Sequence, residues 1–134
     1  MPPDLILFDC DGVLIDSEVV ACRADAACLA EYGIEISVEE ILERYLGISA
    51  AAMCADLRQR YSCELPPDIV EILGQRVATA FEAELAAMAG VEAVLDALPQ
   101  RRCVASSSAP ARLRYSLSLA GLLGYFESHI FSAM

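Results

Sequence analysis

The sequence contains no lysine: all nine basic residues are arginine, set against 20 acidic ones, for a formal net charge of −11. Nucleic acid and anionic membranes both require a basic face, so neither is an expected partner. A phosphate ligand remains open, provided that a metal ion, backbone N–H groups or an arginine reverse the sign locally. Histidine is nearly absent too: His129 stands alone, without a partner nearby in sequence, and is read as a surface or strand-end residue. No apolar run approaches the ~18 residues that suggest a membrane span. Met1-Pro2-Pro3-Asp4 carries no basic residue ahead of the first apolar run, which argues against a signal peptide and makes the cytoplasm the expected location. The cysteines (10, 22, 28, 54, 63 and 103) form no C-x-x-C pair. They are read as small buried hydrophobes in a reducing compartment rather than as a disulfide or zinc framework.

What is there is a chain of 134 residues, 57% hydrophobic and 22% charged, long enough for one ordinary domain or a small domain with an insertion. It shows no internal repeats and no low-complexity segment. Leu5-Ile6-Leu7-Phe8 is apolar and uncharged, the pattern of a strand buried on both faces in a parallel sheet. It runs into Asp9-Cys10-Asp11-Gly12. Two carboxylates against a low-dielectric wall are costly unless a cation or a reacting centre shares the site.

Ser17 is a candidate N-cap for a helix running to Tyr32, where Gly33 supplies a left-handed stop. Ser37 with Glu40 forms a capping box, followed by Val38, Ile41, Leu42, Tyr45 and Leu46 at helical spacing. Ser49 starts a third helix with Ala50, Met53, Cys54, Leu57 and Tyr61 on its apolar face. Pro66-Pro67-Asp68 opens a fourth, in which Ile69, Ile72, Leu73, Val77, Ala80, Phe81 and Leu85 keep the 3.6 period. Four helices with no strand among them predict a compact helical unit over 17–87. Beyond it, Val91 to Leu98 forms a short helix stopped by Pro99, and Arg102 to Ser106 a second buried strand. Pro110 starts a helix ending at Gly121, Gly124-Tyr125-Phe126 is a turn, and His129 to Ser132 a third strand. The expected fold is α/β: a Rossmann-like parallel-sheet core, residues 1–16 and 88–134, with residues 17–87 inserted as a helical cap.

Asp9 and Asp11 are the strongest site candidates. A calcium loop is excluded because Gly12 comes fourth, after a strand, where an EF-hand needs its glycine sixth, between helices. Residues i and i+2 of a strand point the same way, so both carboxylates are expected in one pocket. One can then attack and the other handle protons, with a divalent cation holding down their repulsion. Gly12 allows a tight turn with exposed N–H groups. Ser106-Ser107-Ser108, between a strand and a helix, offers hydroxyls and free N–H groups to an anion. In an open parallel sheet, the carboxyl ends of neighbouring strands share one crevice. Arg23, Arg44, Arg58 and Arg76 are read as solvated or paired, and Tyr45, Phe81 and Phe126 as core.

The segment Phe8-Asp9-Cys10-Asp11-Gly12-Val13-Leu14-Ile15-Asp16-Ser17-Glu18 resembles the first motif of the haloacid dehalogenase-like superfamily, and Val104-Ala105-Ser106-Ser107-Ser108 resembles its second. The helical insertion is similar to the cap of the subgroup containing β-phosphoglucomutase, phosphoglycolate phosphatase and bacterial sugar-phosphate phosphatases. The resemblance implies that Asp9 is a nucleophile forming an aspartyl-phosphate and that Asp11 is the general acid and base. It further implies Mg²⁺ on the Asp9 carboxylate and the Asp11 carbonyl, and phosphate on Ser106, Ser107 and Gly12. A small phosphorylated metabolite is the implied substrate, since dehalogenases of the superfamily lack the second aspartate. Phe81-Glu82-Ala83-Glu84-Leu85 resembles sugar-phosphate phosphatases of the 6-phosphogluconate type.

Three features depart from the family pattern. Val19, Val20 and Ala21 stand where many relatives have a cap histidine. Ala50 stands where the mutase has a phosphate-binding arginine. The family's lysine and second acidic pair are absent. A phosphatase is therefore favoured over a phosphomutase, with an inactive interaction module as the third reading. In the family the first strand lies between the second and a fourth. Residues 1–134 are therefore expected to be the N-terminal part of a longer protein, with an open strand edge that invites association. Phosphatase turnover by these 134 residues alone is expected to be absent or nearly so, which a phosphate-release assay checks.

Overall fold

The computed structural model describes residues 1–134. Its elements are β1 (Leu5–Phe8), α1 (Ser17–Glu31), α2 (Val38–Tyr45), α3 (Ala50–Tyr61), α4 (Ile69–Glu84), α5 (Val91–Ala97), β2 (Arg101–Ser106), α6 (Pro110–Leu119), α7 (Leu123–Phe126) and β3 (Ile130–Ser132). The strands form one parallel sheet in the order β1-β2-β3. Leu5 to Phe8 stand in register with Arg101 to Val104, and Val104 to Ser106 with Ile130 to Ser132. Parallel neighbours require a long crossover. The helices supply it on both connections, and the fold is α/β as expected. No helix is long and apolar enough to cross a membrane.

The chain divides into two compact units, one formed by Met1–Ser17 with Glu84–Met134, the other by Glu18–Ala83. In the first, Val104 of β2, Leu113 and Leu117 one turn apart on α6, Leu122 and Phe126 are all buried. Pro110 occupies the first turn of α6, where its missing N–H costs nothing. Phe126 meets Phe8 edge to face at 5.9 Å between ring centroids. Arg102 donates to the carbonyls of Leu95 (2.6 Å) and Leu98 (2.8 Å), closing the end of α5.

Three expectations for this unit are corrected. β1 is the open edge strand expected of residues 1–134, and the reading of a strand buried on both faces does not hold: Leu5 is 46% and Leu7 64% exposed. Apolarity records what a segment is suited to meet, whereas exposure depends on what other chain lies against it. Gly124-Tyr125-Phe126 belongs to a one-turn helix, α7, rather than a simple turn, and His129 precedes β3 instead of starting it.

The helical unit has its own core of Cys28, Leu29, Ile34, Ile41, Met53, Cys54, Leu57, Ile69 and Leu73. Ser37 and Ser49 cap α2 and α3 by accepting from the Glu40 N–H (3.1 Å) and the Ala52 N–H (3.2 Å). Each such cap stabilises by about 1 kcal/mol. The Glu40 carboxylate, expected to complete a capping box, instead accepts from Arg60 at 2.6 Å and Arg44 at 3.1 Å. Tyr61 is exposed, so the apolar face of α3 ends at Leu57. Tyr45 is core, as expected, with its hydroxyl donating to Asp56 and accepting from Arg60. None of the six cysteines is in a disulfide, and all but Cys63 are buried.

Asp25 on α1 is the costly group of this unit. Burial pushes its carboxyl from the usual 3.8 up to about 6. The folded state therefore holds the proton more tightly than the unfolded one, so this group's contribution to stability is present below about pH 4 and is lost as pH rises through about 6. Replacing Asp25 with Asn should stabilise the chain at pH 7 by about 1–3 kcal/mol and flatten the pH dependence between 4 and 6. Urea denaturation across that range measures both effects.

Candidate active site

The site is built at the carboxyl ends of the three strands, from the β1 loop, the turn after β2 and the end of β3. β1 stops at Phe8, so Asp9 and Asp11 lie in a loop rather than on the strand. The Cys10 carbonyl accepts from three successive amides, Val13 (3.2 Å), Leu14 (2.9 Å) and Ile15 (3.3 Å). Gly12 takes φ +73°, a conformation open to glycine. Leu14 and Ile15 are buried beneath the loop. It is braced by residues 86–88, through Asp16 N–H to the Ala86 carbonyl (3.0 Å) and Met88 N–H to the Leu14 carbonyl (2.9 Å).

This loop gives the two carboxylates different partners. Asp9 is exposed; its Oδ1 accepts from the Cys10 N–H at 2.8 Å, leaving Oδ2 without a protein partner. Asp11 is tied on both oxygens: Ser17 Oγ donates to Oδ1 and Ser108 Oγ to Oδ2, each at 2.7 Å. Asp9, Ser106, Ser107 and Ser132 line an open cleft of about 530 Å³, with Ala105, Phe131 and Ala133 as its apolar wall. Asp11 and Gly12 are not among its lining residues. The expected reason for the proximity of Asp9 and Asp11, strand alternation, does not apply, because the strand ends before either. The Gly12 N–H is likewise engaged, donating to the Ile15 carbonyl at 3.0 Å, so glycine here makes the turn without offering its own N–H.

Ser106 ends β2. Its Oγ accepts from the Ser108 N–H at 3.1 Å, which leaves its own proton to donate. Ser107 is exposed beside it. Ser132 ends β3 in register with Ser106 and donates to the Ser108 carbonyl at 2.6 Å.

Three of these polar residues escaped the sequence reading in their present roles. Ser17 is the first residue of α1, and its buried hydroxyl turns to Asp11 instead of capping the helix. Ser108 was legible only as part of a serine-rich turn. Ser132 carried one usable signal, its position at the end of an apolar third strand.

Cys10, between the two aspartates, is fully buried. Burial, reinforced by the Asp11 and Asp9 carboxylates and partly offset by Arg112, pushes its thiol up to about 12. It is a packing residue and no nucleophile. Iodoacetamide at pH 8 should leave Cys10 unlabelled in the folded chain and alkylate it in urea. Fast labelling of the folded chain, read by mass spectrometry, would contradict this.

An acidic loop on one strand and a serine-lined helix start on the next, converging at the carboxyl edge of a parallel sheet, form the ligand edge of an open α/β protein. The family model of the haloacid dehalogenase-like hydrolases matches residues 6–133, and the chain belongs to that family. It is 31% identical over 130 residues to 6-phosphogluconate phosphatase of Escherichia coli K12, covering 96% of this chain and 59% of that protein. A haloacid dehalogenase-like protein of unknown function from Agrobacterium tumefaciens superposes with a TM-score of 0.88 at 36% identity, covering 97% of this chain and 59% of that one. A hydrolase of the family from Deinococcus radiodurans, crystallised with bound phosphate and sodium, superposes with a TM-score of 0.86 at 31% identity, covering 96% and 57%. The chain thus spans 57–59% of the length of these relatives.

Proposed function

We propose that this chain carries the nucleophile and phosphate-binding half of a phosphatase acting on a small phosphorylated sugar or sugar acid, with 6-phosphogluconate as the first candidate. The observation that carries the reading is the cleft itself. Asp9, with one carboxylate oxygen that has no protein partner, lines the same cleft as Ser106 and Ser107. The phosphate bound to the Deinococcus relative and the name of the Escherichia coli relative support the substrate class. Ala50, in place of the mutase arginine, favours hydrolysis over isomerisation.

In this reading Asp9 Oδ2 attacks phosphorus in line with the sugar oxygen. The P–O bond to the sugar breaks, and the departing oxygen takes a proton from Asp11. Water then attacks the aspartyl-phosphate, yielding its proton to Asp11 and releasing inorganic phosphate, which restores the Asp9 carboxylate. Ser106 and Ser107 donate to the phosphoryl oxygens throughout. The donor set suits Mg²⁺, a hard cation that takes oxygen ligands and keeps several waters. The Asp9 carboxylate and the Asp11 main-chain carbonyl would hold it, and no group of three or more His, Cys, Asp or Glu side chains gathers to complete the shell. When bound, Mg²⁺ supplies the positive charge that lets an anionic nucleophile approach an anionic ester. Residues 17–87 are assigned to the cap and 1–16 with 88–134 to the core.

The test is phosphate release from 6-phosphogluconate by the full-length protein. Asp9→Ala should lower turnover by about 10³-fold or more, and EDTA should abolish it with recovery on added Mg²⁺. Turnover retained by Asp9→Ala would sink the assignment.

A further inference from the structure

Ser108 is fixed at every polar group it has. Its N–H donates to Ser106 Oγ (3.1 Å), its carbonyl accepts from Ser132 Oγ (2.6 Å), and its hydroxyl donates to Asp11 Oδ2 (2.7 Å). Ser132 is fixed in turn, its Oγ accepting from the Met134 N–H at 3.1 Å. A continuous path therefore runs from the end of β3, through the turn after β2, to the carboxylate in the β1 loop. We infer that Ser132 and Ser108 form a positioning relay that sets the orientation of the Asp11 carboxylate from the third strand.

The inference rests on the proposed phosphatase reading for the chemical use of Asp11, but the geometry of the relay does not depend on it. The chemistry of the linking group fits the task. A residue that alternately gives up and regains a proton needs a neighbour satisfied in both states. A hydroxyl donates to the carboxylate and, by rotating about its C–O bond, accepts from the carboxylic acid. An amide or ammonium donor in its place would favour the ionised form alone. Ser132 makes no hydrogen bond to Asp11, and its hydroxyl proton is committed to the Ser108 carbonyl. It fixes the peptide that carries the Ser108 hydroxyl, which makes it a positioning residue; alanine at 132 frees the turn while leaving Ser108 in place.

Two measurements decide the relay. The first uses residues 1–134 and needs no activity: denaturant unfolding of Ser108→Ala, Ser132→Ala and Asp11→Ala, singly and in pairs. The relay predicts non-additivity, with Ser108→Ala and Ser132→Ala each costing less stability in the Asp11→Ala background than in the parent. Additive costs overturn it. If either alanine variant fails to fold, Ser132→Thr, which keeps the hydroxyl, takes its place and should match the parent; a loss equal to that of alanine overturns the relay.

The second uses the full-length protein and compares an alkyl phosphate with p-nitrophenyl phosphate, whose leaving group departs without a proton. Ser108→Ala should lower kcat for the alkyl ester by about 10-fold or more while changing kcat for p-nitrophenyl phosphate and both KM values by less than about 3-fold. Equal losses on both esters overturn the positioning role. If the parent hydrolyses neither ester, the phosphatase reading fails, and the unfolding cycle alone still decides the relay.

Discussion

Asp11 is where the structure concentrates its constraints. A partly buried carboxylate must be hydrogen-bonded or neutralised. Here two hydroxyls do this, one from the first turn of α1 and one from the turn after β2. Ser17 and Ser108 lie 91 positions apart, so satisfying one side chain fixes the mutual placement of the β1 loop, the start of the long excursion and the return to β2. Because the Cys10 carbonyl gathers three amides beneath the same loop, the loop has little freedom to move without breaking several bonds at once.

The sheet makes that placement possible. Parallel register brings Phe8 beside Val104, and Ser106 beside Ser132, so the carboxyl ends of all three strands reach one edge. Whatever follows each strand then shares a space: the acidic loop after β1, the three serines that end β2 and begin the turn beyond it, and the terminal serine of β3. The cleft holding Asp9, Ser106, Ser107 and Ser132 is a consequence of topology, since no two of those strands adjoin in sequence. The outer edge of β1 has no such neighbour, and Leu5 and Leu7 stand exposed beside it.

Much of this was legible in the residues. The helical spans were marked by Ser37 and Ser49 as caps, by Gly33 as a left-handed stop, and by apolar spacing at Ile41, Met53, Leu57, Ile69 and Leu73. These signals act over one or two turns of chain, which is why a sequence displays them. The apolar pattern of Leu5-Ile6-Leu7-Phe8 did not by itself reveal the exposure of β1, since it is the same whether or not another strand lies beside it; the open edge was expected only from the family's strand order. Nor was the role of the Ser17 hydroxyl legible, since a serine at a helix start can accept from a backbone N–H as a cap or donate to a carboxylate, and its sequence position suits both. That it donates to Asp11 depends on a carboxylate six residues back, which a tight loop brings within reach.

The sequence by itself determined the class of the fold and the identity of the chemical groups: two aspartates after an apolar run, glycine for the turn, serines before a helix start. Local hydrogen-bonding needs, side-chain periodicity and residue chemistry suffice for that. Only the tertiary structure decided how those groups are divided. It gave Asp9 to the open cleft and Asp11 to a pair of serines, spent the Gly12 N–H within its own loop, and brought Ser132 to the site. The physical reason is that each assignment is a competition among partners far apart in sequence, and only the packed chain says which of them are within hydrogen-bond reach.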